Sequence, residues 1–223
     1  TYVTGVQTCA LPIYRAAHWN RVYAERAPAA LTWHEDAPET TLDLLGARLS
    51  PGDPVVDVGA GASRLTELLA ARGLGPLTAL DVSAAALERS RARLGARAGE
   101  ATWIEADVTE WRPEATYALW HDRAVFHFLT TAEDRAAYIR ALDRALRPDG
   151  IALIATFADD GPETCSGLPV ARYAPEGLAA EIERHARGRF RLVASRRRVH
   201  VTPKGAEQRF QHALFERARP DPA

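Results

Sequence analysis

The chain has 223 residues with 28 basic and 29 acidic side chains, and a net charge of −1 argues against a polycationic nucleic-acid binder. Two cysteines are too few for a disulfide framework, and no apolar run reaches the roughly 20 residues of a membrane span. With 47% hydrophobic and 26% charged residues the composition fits one folded domain with a sizeable core, expected to be a cytoplasmic monomer.

Residues 3–13, Val-Thr-Gly-Val-Gln-Thr-Cys-Ala-Leu-Pro-Ile, read like a translated sequencing adapter, so residues 1–13 are set apart as non-native and the domain is expected over 14–223. They lack the basic start of a signal peptide, and Gly5, Gln7 and Pro12 break their apolar run. From Tyr14 to Arg26, His18, Trp19, Val22 and Tyr23 recur at helical spacing, and Trp33-His34 follows Pro28. A helix from Glu39 to Leu49 leads to the turn Ser50-Pro51-Gly52-Asp53-Pro54.

The stretch Val55-Val56-Asp57-Val58-Gly59-Ala60-Gly61-Ala62-Ser63 predicts a strand, a tight glycine turn and a helix N-terminus. Gly59 and Gly61 permit positive φ and close approach of a ligand, and the helix start offers unpaired N–H groups, which suits a nucleotide-like occupant. A dinucleotide fingerprint needs a third glycine where this chain has Arg64, which counts against NAD and FAD. The helix after the turn carries Leu65, Leu68 and Leu69 and ends near Gly73. A second strand, Leu77 to Leu80, ends in Asp81 and Val82, where a carboxylate can accept from ribose hydroxyls, and Ser83 caps the next helix. A third, Thr102 to Ala106, ends at Asp107-Val108, which would lie beside an adenine.

Tyr117 to Trp120 predicts the fourth strand, followed by His121-Asp122-Arg123-Ala124-Val125-Phe126-His127-Phe128-Leu129. Thr131 to Leu146 is a helix with capping-box spacing at Thr131 and Asp134, stopped by Pro148-Asp149-Gly150. Ile151 to Phe157 is a strand buried on both faces, and Pro175 starts a helix through Arg184. Phe190–Val201 and Gln208–Arg217 close the chain as a hairpin.

The glycine turn with its preceding Asp57, the acids after the second and third strands, and the His121 to Leu129 stretch together resemble class I S-adenosylmethionine (SAM) dependent methyltransferases. The stretch after the fourth strand is similar to that of small bacterial members related to thiopurine and protein-lysine methyltransferases. The usual third glycine is Ser63 here. The resemblance covers about residues 14–217 and implies an α/β, Rossmann-like, seven-stranded, mostly parallel sheet with helices on both faces and a C-terminal antiparallel hairpin. It implies SAM as cofactor, held by Gly59, Ala60, Gly61, Ser63, Asp81, Val82, Asp107, Val108 and His121. It also implies an N-terminal segment over the cofactor, its W-x-x-x-Y element being Trp19 and Tyr23.

Methyl transfer is an in-line displacement in which the protein supplies alignment, and a base where the acceptor carries a proton; Asp122 and His121 are the expected candidates. The alternative for Asp122 is pairing with Arg123 or capping the next helix. His121, Asp122 and His127 lack metal-ligand spacing, so no metal is expected. Cys165 sits in a loop where it can line a substrate pocket, and the arginines from Arg187 to Arg198 are expected to face solvent rather than RNA. The expected partner is a small-molecule or protein methyl acceptor, with neither nucleic acid nor membrane involved. A nicotinamide-dependent oxidoreductase and a non-catalytic SAM-binding protein are the competing readings.

Overall fold

Apolar runs short enough for strands and separated by helical repeats build one seven-stranded sheet in the computed structural model, which describes residues 12–25, 31 and 38–219. The strands are β1 (Val55–Val58), β2 (Leu77–Asp81), β3 (Ala101–Glu105), β4 (Tyr117–Arg123), β5 (Leu146–Phe157), β8 (Phe190–Val201) and β9 (Glu207–Arg217). A separate small hairpin joins β6 (Thr164–Cys165) and β7 (Leu168–Pro169). The sheet order is β3-β2-β1-β4-β5-β9-β8, parallel from β3 to β5, with β9 antiparallel to both of its neighbours. The terminal hairpin therefore folds back so that its last strand, not its first, joins β5.

Among the described residues six α-helices flank the sheet: α1 (Pro12–Glu25), α2 (Glu39–Leu45), α3 (Leu65–Ala71), α4 (Ala84–Leu94), α5 (Ala132–Ala145) and α6 (Pro175–His185). Leu44 and Leu45 of α2 and Leu65 and Leu69 of α3 pack on one face, against Val55, Leu119, Leu153 and Leu214. Tyr138, Ile139 and Leu142 of α5 and Leu178 and Ile182 of α6 pack on the other, against Val56, Val58, Trp120, Ile154 and Phe215. Both faces are thus covered, which is why β1 and β2 are buried at every residue and read as continuous apolar runs.

Start signals are realised where side chains can reach orphan N–H groups. Ser83 accepts from Ala86 N at 3.2 Å, and Thr131 from Asp134 N at 3.2 Å, with Glu133 and Asp134 in the first turn of α5. The stop differs from expectation. α5 ends at Ala145, and Pro148-Asp149-Gly150 lies inside β5, where the pairing jumps from Tyr117↔Leu146 to Leu119↔Ile151. The extra residues loop out of the ladder, with Asp149 at φ 61.

The boundary drawn after residue 13 falls inside α1, which begins at Pro12; residues 1–11, and Trp33-His34, lie outside the described residues. Among the described residues no helix is long and apolar enough to cross a membrane. The arginines of β8 meet acids: Arg196 with Asp43, Arg197 with Asp159 and Asp160, Arg191 with Glu216.

Candidate active site

Strand order reverses between β1 and β4, and a crevice opens beyond the carboxyl ends of these strands, as open parallel sheets provide. Its first wall is the glycine turn. Gly59 N and Ala60 N donate to Leu80 O at 2.7 and 3.1 Å, tucking the turn against β2, and Gly59 and Gly61 take φ of 66° and 53°. A Cβ on Gly59 would collide with Val125, and one on Gly61 with the Tyr23 hydroxyl. Ser63 Oγ accepts from Leu65 N at 3.0 Å, so the residue in place of a third glycine helps hold the start of α3. Gly59→Ala should therefore cost about 1–2 kcal/mol from the left-handed backbone alone, before any shift of Val125. Thermal melting should show this as a drop of a few degrees, with SAM binding weakened in the same variant.

Asp81 ends β2 with both carboxylate oxygens in use: Oδ2 accepts from Gly61 N and Oδ1 from Ser83 N, each at 2.8 Å. It ties the glycine turn to the β2 end, and desolvation by burial pushes its pKa up to about 6. Asp107 Oδ1 accepts from Thr109 N and Thr109 Oγ1 at 2.8 and 2.6 Å, while Oδ2 accepts from Arg15 of α1 at 3.0 Å. Arg15 also pairs with Asp134, pinning α1 across the strand ends, and Asn20 Oδ1 accepts from Ser83 Oγ at 2.8 Å. From α1, Trp19 and Tyr23 line the crevice, Trp19 standing edge-on to Phe128 with ring centroids 5.2 Å apart.

Alternation along β4 decides which of its polar residues reach the crevice. Trp120 and Asp122 project toward α5, and His121 and Arg123 toward the crevice, because successive strand side chains point to opposite faces. His121 Nδ1 lies 2.7 Å from Asp57 Oδ1, its register partner on β1, and Nε2 lies 3.4 Å from Thr41 Oγ1. An ionised Asp57 accepts from Nδ1–H, which leaves Nε2 as the proton-accepting nitrogen. Asp122 is fully buried: Oδ1 accepts from Val125 N at 2.8 Å, and Oδ2 accepts from Phe126 N at 3.0 Å and the Tyr138 hydroxyl at 2.6 Å. Asp122, expected with His121 as a candidate base, thus makes the contacts of its alternative reading, a cap on the turn after β4, and its pKa is pushed up to about 6 by desolvation. It and Arg123 point to opposite faces.

His127 is buried elsewhere, Nδ1 accepting from Phe157 N at 3.2 Å, and burial with the nearby Arg123 charge lowers its pKa to about 3, so it stays neutral. Among the described residues no three metal-binding side chains gather. Cys165 lines the crevice with its thiol pushed up to about 11 by burial, a neutral wall rather than a nucleophile. Asp57 enters the sequence reading only as part of the glycine-turn motif, and Arg123 only as a pairing partner for Asp122. The signal for both was their place at the ends of β1 and β4, readable once register and face are known.

A family model described as "Methyltransferase domain" matches residues 55–150, from the first residue of β1 through the loop-out in β5. Over this stretch the chain is similar to a methyltransferase domain. The mouse eEF1A lysine and N-terminal methyltransferase is 25% identical over 136 residues, covering 60% of this chain and 19% of its own length. Trans-aconitate 2-methyltransferase of Paracidovorax citrulli is 40% identical over 90 residues, covering 39% of this chain and 33% of its own length. The matched stretches thus span a third or less of these relatives. The fold matches the N-methyltransferase NodS of Bradyrhizobium japonicum, solved with S-adenosyl-L-homocysteine (SAH), at TM-score 0.71 and 19% identity over 92% of this chain and 99% of that one. The Burkholderia thailandensis 1,6-didemethyltoxoflavin N1-methyltransferase aligns at TM-score 0.65 and 23% identity over 93% of this chain and 85% of that one.

SAM is the expected cofactor, and the residues of the matched stretch suit it. The glycine turn leaves room where a Cβ would intrude, and Asp57 Oδ2, buried in the crevice wall, has no hydrogen-bond partner among the described residues, which makes it an acceptor suited to a ligand ammonium. Gly59, Ala60, Gly61, Ser63, Asp81, Val82, Asp107, Val108 and His121 all line the same crevice.

Proposed function

We propose that the protein transfers the methyl group of SAM to a small-molecule acceptor held under α1. The observation that carries this reading is the placement of Trp19, Tyr23 and Leu31 over the crevice that holds the glycine turn, Asp81 and His121 in one wall. A roofed, largely apolar crevice suits a compact acceptor better than a side chain presented from another protein's surface. The bacterial relative's substrate, trans-aconitate, and the toxoflavin precursor of the aligned structure are both small molecules, which supports the same reading.

The cofactor supplies an electrophilic sulfonium methyl. The chain supplies alignment and desolvation: Asp81 accepts from the ribose hydroxyls, Asp57 takes the ammonium, and Val82, Asp107 and Val108 border the adenine. His121, held by Asp57, takes the proton from an acceptor that carries one at its Nε2.

Incubation with methyl-labelled SAM and a bacterial extract separated by mass tests the acceptor class. Label is expected in the low-mass fraction. Label confined to protein would overturn the small-molecule reading, and binding of NAD instead of SAM in calorimetry would overturn the cofactor roles.

A further inference from the structure

A second cleft lies at the opposite end of the sheet from the crevice, where β4 and β5 begin and β9 ends. Its lining is basic: among the described residues Arg140, Arg144, Arg147 and Arg217 border it, against one acid, Asp143. Arg140, Asp143 and Arg144 come from α5, and the residues that leave the β4–β5 ladder between Leu146 and Ile151 contribute Arg147 and Pro148. The loop-out of β5 thus builds one wall. Nearby acids do not balance these cations. Arg147 pairs with Asp53 at 2.8 Å, but a single oxygen of Asp143 serves two arginines, Arg217 at 3.0 Å and Arg189 at 3.1 Å. Arg140 and Arg144 make no ion pair among the described residues. They stand at i,i+4 on α5, a like-charge spacing that costs the helix stability. Arg144, in the last turn, suits the helix dipole, whereas Arg140 sits a turn earlier and has no such use. Arg217 is the most enclosed of the four with its side chain 13% exposed, and burial, then the Arg189 charge, lowers its pKa from the ordinary arginine value against the pull of Asp143.

We propose that this cleft binds a compact polyanion of the diphosphate class, held by Arg140, Arg144, Arg147 and Arg217, at a site separate from the methyl-transfer crevice. With two arginines unpaired and one aspartate shared by two more, about three positive charges stand uncompensated, which a diphosphate group matches and a monocarboxylate does not. Guanidinium groups present planar, paired N–H donors that fit phosphate oxygens. A nucleic-acid backbone fits less well, because it needs a basic track along the surface, and the β8 arginines are paired with Asp43, Asp159, Asp160 and Glu216. The site stands apart from the SAM-dependent reading, since none of its residues lines the crevice.

The test titrates the full chain with inorganic pyrophosphate in a calorimeter, with and without saturating SAH, for wild type, R140Q/R144Q and a control, R196Q, whose arginine pairs with Asp43 outside the cleft. One pyrophosphate is expected per chain, bound about tenfold more weakly by R140Q/R144Q, unaffected by SAH or by R196Q, and weakened by added salt. Orthophosphate and a short oligouridylate, titrated alongside, should each bind more weakly than pyrophosphate. No saturable binding by wild type, an affinity that R140Q/R144Q keeps, or displacement of pyrophosphate by SAH would overturn the site. Tighter binding of orthophosphate or of the oligouridylate would overturn the diphosphate class. Arg140 and Arg144 are exposed, so the double variant is expected to melt with wild type. Should it not fold, R140Q and R144Q singly, each expected to lose part of the affinity, decide the matter.

Discussion

Asp81→Ala is expected to weaken SAM binding ten- to a hundredfold, the equivalent of roughly 1.5 to 3 kcal/mol for hydrogen bonds to an ionised carboxylate. The variant should also lose stability, because Asp81 binds Gly61 N and Ser83 N and so holds the glycine turn and the cap of α4 together. Its pKa near 6 adds a pH signature. Binding a cationic ligand favours the ionised form, so affinity should fall about tenfold as pH is lowered from 7 to 5, and Asp81→Asn should flatten that dependence. Titration calorimetry at both pH values checks this. Unaltered affinity in Asp81→Ala would remove the residue from the cofactor site.

Asp122→Ala is expected to lower stability by about 3 kcal/mol, because Val125 N, Phe126 N and the Tyr138 hydroxyl would each lose a buried acceptor. For a domain of this size that is roughly 10 °C in Tm. The sign of the pH effect follows from a folded pKa of about 6 against 3.8 unfolded. Between these values the folded state binds more protons than the unfolded one, so Asp122 contributes less stability as pH rises. The gap between wild type and Asp122→Ala should thus be about 1 kcal/mol wider at pH 5 than at pH 7. Melting curves at both values test it. Measured well below the melting transition, the folded variant should keep its SAH affinity and most of its turnover. Unchanged stability with turnover lost a hundredfold would restore Asp122 as a base.

Tyr138→Phe is the companion measurement. It removes one of the three donors to Asp122 and the acceptor of Trp120 Nε1, 2.8 Å away, without touching the crevice. A loss of roughly 1–2 kcal/mol is expected, with SAH affinity intact.

The elements were legible where local chemistry is decisive. Valines before a glycine pair make β1 and its turn whatever surrounds them, Ser83 and Thr131 announce their helices by reaching the next free N–H groups, and the Phe190 and Gln208 runs form a hairpin because Pro203-Lys204-Gly205 turns the chain between them. The carboxylates of Asp81 and Asp107 at strand ends followed from the same runs. Sidedness was not legible. Period-two alternation makes neighbours such as His121, Asp122 and Arg123 indistinguishable until packing assigns each face, and here Trp120 and Tyr138 draw Asp122 into the α5 side. The pairing of Asp57 with His121 needed the β1–β4 register, which joins residues 64 positions apart. What the sequence by itself determined was which segments become strands, helices and ligand-accepting turns, because those depend on neighbours a few residues away. Only the tertiary structure decided which acid lines the crevice and which is a buried cap, because that depends on contacts that no local spacing encodes.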